Sequence, residues 1–141
     1  MDVLVLIGRI LFVALFLNSA LGHLTQTKAM EGYAASKGVP SPKAGVLGSG
    51  VLMLLGGLML LLGVWPDLGA LLLFLMLLPT ALLMHAFWKE SDPAARQGEQ
   101  IHFLKDLALA GAALMLFALM AIAGDDLGLT WTGPLFGRDD D

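Results

Sequence analysis

Three histidines and a few charges interrupt an otherwise apolar chain. His23, His85 and His102 carry imidazoles able to donate or accept a proton near neutral pH. Lys105 and Asp106 add a cation and a carboxylate, Asn18 an amide, and Arg9 a permanent guanidinium. Such groups are expensive in lipid and need a partner, a ligand or a route to water. One reading is a polar pocket, with His23, His85, Asp106, Lys105 and Asn18 gathered at one depth to hold a ligand headgroup or a cofactor. The competing reading is interfacial polarity: a histidine at a helix C-terminus complements the helix dipole, and a lysine reaches outward to the headgroups. For His102 the interfacial reading is favoured; for His23 and His85 both stay open. Lys105 and Asp106 are neighbours, so on a helix they point about 100° apart and cannot both face a bundle centre. Asp106 is the interior candidate. Arg9 lies about two turns into the first apolar run and either reaches outward or pairs inside with a backbone carbonyl or a polar ligand.

The elements that must position these groups are membrane helices. Of 141 residues, 57% are hydrophobic and 14% charged, against about 25% charged in an ordinary soluble domain, and the mean hydropathy is +0.80. A soluble domain this short has too much surface to hide that apolar content. Four apolar runs approach the roughly 20 residues needed to cross a bilayer core: Val3 to Leu24, Ala44 to Val64, Leu68 to Trp88, and Phe103 to Ala123. They are Leu-rich without period-two alternation, which predicts helices and not barrel strands. The fold class expected is all-α, a polytopic four-transmembrane-helix bundle over residues 1–124. A polar acidic tail follows at 125–141 and is expected to be partly disordered. Asp2, with no Lys or Arg ahead of the first run, argues against a cleaved signal peptide.

Loop one carries Gly38, Pro40 and Pro42, which break helices. Trp65-Pro66-Asp67 reads as a tight turn, and Asp92-Pro93 as the start of a short helical segment in loop three. Pro79 is expected to kink the third span. The small residues Gly48, Gly56 and Gly57 in the second span and Ala108, Gly111 and Ala112 in the fourth predict that these two helices pack closely. Six of the eight basic residues (Lys28, Lys37, Lys43, Lys89, Arg96 and Lys105) lie on loops one and three or at the start of the fourth span; Arg9 and Arg138 lie opposite. The positive-inside rule then puts loops one and three in the cytoplasm and both termini outside. Trp65 and Trp131 fall at the outer interface and Trp88 at the inner one.

Other chemistries are bounded. No basic face exists for nucleic acid. Cysteine is absent, so thiol chemistry would belong to a partner. The histidines fall in no recognised metal spacing. A bis-histidine haem from His23 and His85 is imaginable but disfavoured, because spacing along one chain does not make two imidazoles face each other.

The order of landmarks resembles the DoxX family, over about Gly8 to Met120. The landmarks are Arg9, Gly22-His23, Tyr33, Gly38-Val39-Pro40, Leu54-Leu55-Gly56-Gly57, His85-Ala86-Phe87-Trp88, and the stretch from Gln100 to Leu109 that includes His102-Phe103-Leu104-Lys105-Asp106-Leu107. Met53 departs from the pattern, standing where many relatives carry a glutamate. Asp106 stands where an asparagine is frequent and is a candidate replacement for the missing carboxylate. The resemblance implies a four-helix inner-membrane protein, often an oxidoreductase or a subunit of one. Some relatives look like parts of thiosulfate:quinone oxidoreductases; others associate with detoxifying enzymes. The leading expectation is an accessory subunit of a membrane redox system in contact with quinone. The alternative is a small carrier or lipid-binding protein without redox activity. Partners expected are the lipid bilayer and a redox protein; a second copy of the chain is a further candidate, though no surface identifies itself as its interface.

Overall fold

The computed structural model describes residues 1–137; the acidic end with Arg138 lies outside the described residues. The chain forms α1 (Asp2–Thr25), α2 (Thr27–Ser36), α3 (Pro42–Leu62), α4 (Pro66–Met84) and α5 (Pro93–Ala123), with 3-10 turns at Phe87–Lys89 and Gly124–Asp126. No strand occurs among the described residues. Four segments built on α1, α3, α4 and α5 are long and apolar enough to cross a membrane. The expected architecture is therefore the one observed: an all-α, multi-pass membrane protein. Its perimeter agrees, since Leu11 is 72% and Ile122 78% exposed, positions that only lipid can cover at acceptable cost.

The helices pack in chain order, α1 on α3, α3 on α4, and α4 on α5. One core runs through Val13 and Phe16 of α1, Met53 and Leu60 of α3, Leu73 and Met76 of α4, and Ala110 and Ala113 of α5. The expected close packing of the second and fourth spans is overturned: α3 and α5 share no close backbone interface. The small residues of α3 serve other neighbours. A Cβ on Gly56 would lie 2.9 Å from the Gly69 carbonyl oxygen of α4, and one on Gly57 2.9 Å from Leu17 of α1. Ala108 and Gly111 of α5 face the perimeter, and a Cβ on Gly111 would meet nothing within 4 Å. A small residue permits close approach without specifying the partner.

Two boundaries differ from the sequence reading. Loop one contains α2, a ten-residue helix with only Ala34 buried, which rests on α3. The fourth span belongs to a helix that starts at Pro93 and not at Phe103. Asp92 caps it by accepting a hydrogen bond from Ala95 N at 2.8 Å, and Pro93 suits the first helical position. The two ends of the bundle are hereafter the loop face, bearing α2 and the α4–α5 connection, and the terminal face, bearing Met1 and the tail.

Candidate functional site

At the loop face α1, α2, α3 and α4 enclose a cavity of about 510 Å³. Its walls are mostly apolar, including Leu52, Met76 and Leu83, while Met30 and Tyr33 of α2 roof it. Gly48, Leu75, Pro79 and Leu83 line it and are also exposed, so it opens on the perimeter of the bundle. Two features of local sequence make the space. Gly48 contributes no side chain, and a Cβ there would meet nothing within 4 Å. Pro79 has no N–H, so the Leu75 carbonyl loses its helical donor, although α4 continues to Met84.

His23 and His85 both line this cavity. The His23 ring is oriented by its own helix: Nδ1 donates to the Ser19 carbonyl at 2.8 Å, which leaves Nε2 as the free nitrogen. Its close approach to α3 depends on Gly50, where a Cβ would fall 2.8 Å from that of His23.

His85, at the C-terminal cap of α4, joins the cavity to a network on α5. Its Nδ1 lies 2.8 Å from Glu99 Oε2 and its Nε2 3.6 Å from Asp106 Oδ2. Glu99 Oε1 accepts from Lys37 Nζ at 2.8 Å, and Lys37 reaches Glu90 at 3.2 Å. The His102 ring stacks on His85 with centroids 5.1 Å apart. Lys105 Nζ lies 4.0 Å from Asp106 Oδ1 and 3.4 Å from His102 Nδ1. Asp106 Oδ2 is buried and accepts no hydrogen bond among the described residues. The hydrogen bond to Glu99, followed by that to Glu90, holds the Lys37 ammonium above the ordinary lysine range. Edge-to-face contacts among Phe87, Trp88 and Phe103 fasten the 3-10 turn after His85 to α5, and so hold the imidazole against the carboxylates.

The terminal face uses its charges differently. Arg9 is 1% exposed, and its Nη2 donates to the Leu129 carbonyl at 2.6 Å, the inward pairing that the sequence left open. Asp67 is 0% exposed and accepts from the backbone N–H groups of Leu135 and Phe136 at 2.8 and 2.6 Å. The Gly63 carbonyl accepts from Trp131 and Thr132, both at 3.0 Å. Over 127–137 the tail folds back on the bundle, its amides bonded to acceptors at the α3–α4 turn; the rest of the tail expected to be partly disordered, 138–141, lies outside the described residues.

His85, Asp106 and Lys105 thus share one network, and His23 lines the same cavity as His85. Asn18 is exposed on α1 away from the cavity wall, and Arg9 belongs to the opposite face. Sequence reasoning missed Lys37, Glu90 and Glu99. A signal for Glu99 was present: once the helix starts at Pro93, Glu99, His102 and Asp106 fall at i, i+3 and i+7, on one face. Among the described residues no three His, Asp or Glu side chains are arranged to hold a metal ion.

A model of the DoxX family matches residues 4–86. The match spans α1 through α4, including Arg9, His23, Met53 and His85, and ends before α5. No curated protein and no solved structure matches the chain.

Proposed function

The chain belongs to the DoxX family, and from that premise we propose that it is a ligand-binding accessory subunit of a membrane redox system whose cavity takes a quinone-like ring. The carrying observation is the 510 Å³ cavity with His23 and His85 in its wall. The volume falls within the range of about 300–1,000 Å³ common for small-molecule sites. Its opening on the perimeter suits a ligand that arrives through lipid, and its apolar walls suit a hydrocarbon substituent. With Nδ1 donating to the Ser19 carbonyl, the neutral His23 ring presents Nε2 as an acceptor that suits a ring hydroxyl, and it donates to a ring carbonyl only as the imidazolium. The redox assignment rests on what the family resemblance implies. The excess of basic residues on loops one and three supports an orientation with those loops in the cytoplasm and both termini outside, and the family resemblance supports the inner (plasma) membrane; a redox partner would then meet the loop face. A second reading, a small carrier or amphiphile-binding protein without redox activity, is favoured by the same lateral opening.

Titrating a short-chain benzoquinone into the protein in nanodiscs, followed by calorimetry, tests the proposal. Saturable binding at one site is expected, weakened at least tenfold by Gly48→Leu, which fills the cavity without a clash at Cβ. Absence of saturable binding, or binding indifferent to Gly48→Leu, contradicts it. Displacement of the quinone by a fatty acid at equal concentration would favour the carrier reading.

A further inference from the structure

We infer that the cavity selects the reduced, hydroquinone form of its ring ligand over the quinone, because its wall offers acceptors and withholds donors; this rests on the reading of the cavity as a ligand site. The two forms differ little in size but carry opposite hydrogen-bonding groups. The oxidised ring has two carbonyl oxygens, which only accept; the reduced ring has two hydroxyls, which donate. The protons of the wall therefore decide which form is favoured.

Those protons can be followed one group at a time. The His23 Nδ1 proton is held by the Ser19 carbonyl at 2.8 Å, so the neutral ring offers a ligand the Nε2 lone pair. The Ser49 hydroxyl donates to the Val46 carbonyl at 3.1 Å, and the Thr80 hydroxyl to the Met76 carbonyl at 2.9 Å. A hydroxyl carries a single proton, so both oxygens are left as acceptors. Leu75 lies one helical turn before Pro79, and its carbonyl, without a helical N–H, adds a backbone acceptor to the same wall. His85 contributes no donor, since its Nδ1 proton goes to Glu99 and its Nε2 stands against Asp106. Groups from α1, α3 and α4 thus agree in sign. The donors that remain are the Tyr33 hydroxyl on the roof and the Ala44 amide in the first turn of α3. Both belong to exposed residues, where solvent competes for them.

A hydroquinone hydroxyl that meets one of these acceptors gains a hydrogen bond, whereas a quinone carbonyl there is left facing another lone pair. The difference corresponds to roughly tenfold in affinity for one such contact. By linkage, a form bound tenfold tighter also shifts the potential of the bound ring upward, by about 30 mV for a two-electron couple.

Anaerobic calorimetry in nanodiscs at pH 8, where imidazole is neutral, tests the selection by comparing tetramethyl-1,4-benzoquinone with its hydroquinone. Full substitution of the ring prevents addition of protein amines. The hydroquinone should bind about tenfold tighter, with saturable but weaker binding of the quinone. His23→Phe and Thr80→Val each remove an acceptor while keeping bulk, and should bring the two affinities together. Tyr33→Phe should leave the preference in place. Circular dichroism confirms that each variant is folded. A wild-type ratio below threefold, or tighter binding of the quinone, overturns the selection and leaves the ligand reading intact. A preference that survives both His23→Phe and Thr80→Val overturns it as well. If neither form binds saturably, both readings fall.

Discussion

The two ends of this bundle hold similar groups in opposite ways. At the terminal face Asp67 and Arg9 are almost fully buried, and each bonds to backbone: Asp67 to two amides and Arg9 to one carbonyl, with Arg9 Nε and Nη1 left without an acceptor among the described residues. Fixed main-chain partners make that face a clasp, closing the tail over the α3–α4 turn. At the loop face the partners are side chains that can themselves gain or lose protons, and one carboxylate oxygen is left without a donor. A cavity adjoins that network. The contrast teaches that burial of charge in a membrane helix is not by itself a sign of function; what matters is whether the partner can change state.

The contrast can be broken most decisively at the clasp. Asp67→Ala removes the acceptor of two partly buried hydrogen bonds at once, and should destabilise the protein by about 1–3 kcal/mol. Hydrogen exchange should show residues 127–137 losing protection, while benzoquinone binding at the far face stays unchanged. A tail that keeps its protection would dissolve the distinction between the faces. A smaller effect is expected at the network. Lys37→Met should cost roughly 1 kcal/mol, because the pair is partly exposed and screened, and should leave tail protection intact. The pH dependence has a definite sign. Lys37 is held above its ordinary value of 10.5, so its contribution is fully present below that value and declines as pH rises through the raised one. Melting curves of wild type and Lys37→Met should therefore differ by a constant amount from pH 7 to 9 and converge only at stronger alkalinity. The smallest change is expected in the stability of Gly48→Leu, which should gain up to about 1 kcal/mol from the lost glycine entropy even as the cavity fills.

Much of the scaffold was legible in the residues, because unbroken apolar runs with Pro40, Pro42, Pro66 and Pro93 between them have one physical solution in lipid. The neighbours of each helix were not. Gly56 and Gly111 look alike in sequence, yet one touches Gly69 of α4 and the other faces open space. The site was legible in part: His85, Asp106 and Lys105 declare themselves as polar groups in apolar helices. Glu99 hides because the apolar run of the fourth span begins only at Phe103, which leaves that carboxylate in an apparent loop. Lys37 hid because α2, short and polar, carries little of the pattern of a buried helix. The docking of Leu135 and Phe136 on Asp67 had no side-chain signature, since the donors are backbone amides.

The central claim is that the loop face, and not the terminal face, holds the ligand. A photoactivatable benzoquinone, cross-linked in native membranes and mapped by mass spectrometry, tests it most directly. The account predicts adducts on the cavity wall, at Met30, Tyr33, Met76 or Met84, that disappear in Gly48→Leu. Adducts confined to the terminal face around Leu129 and Trp131, or scattered evenly over the perimeter of the bundle, would contradict it.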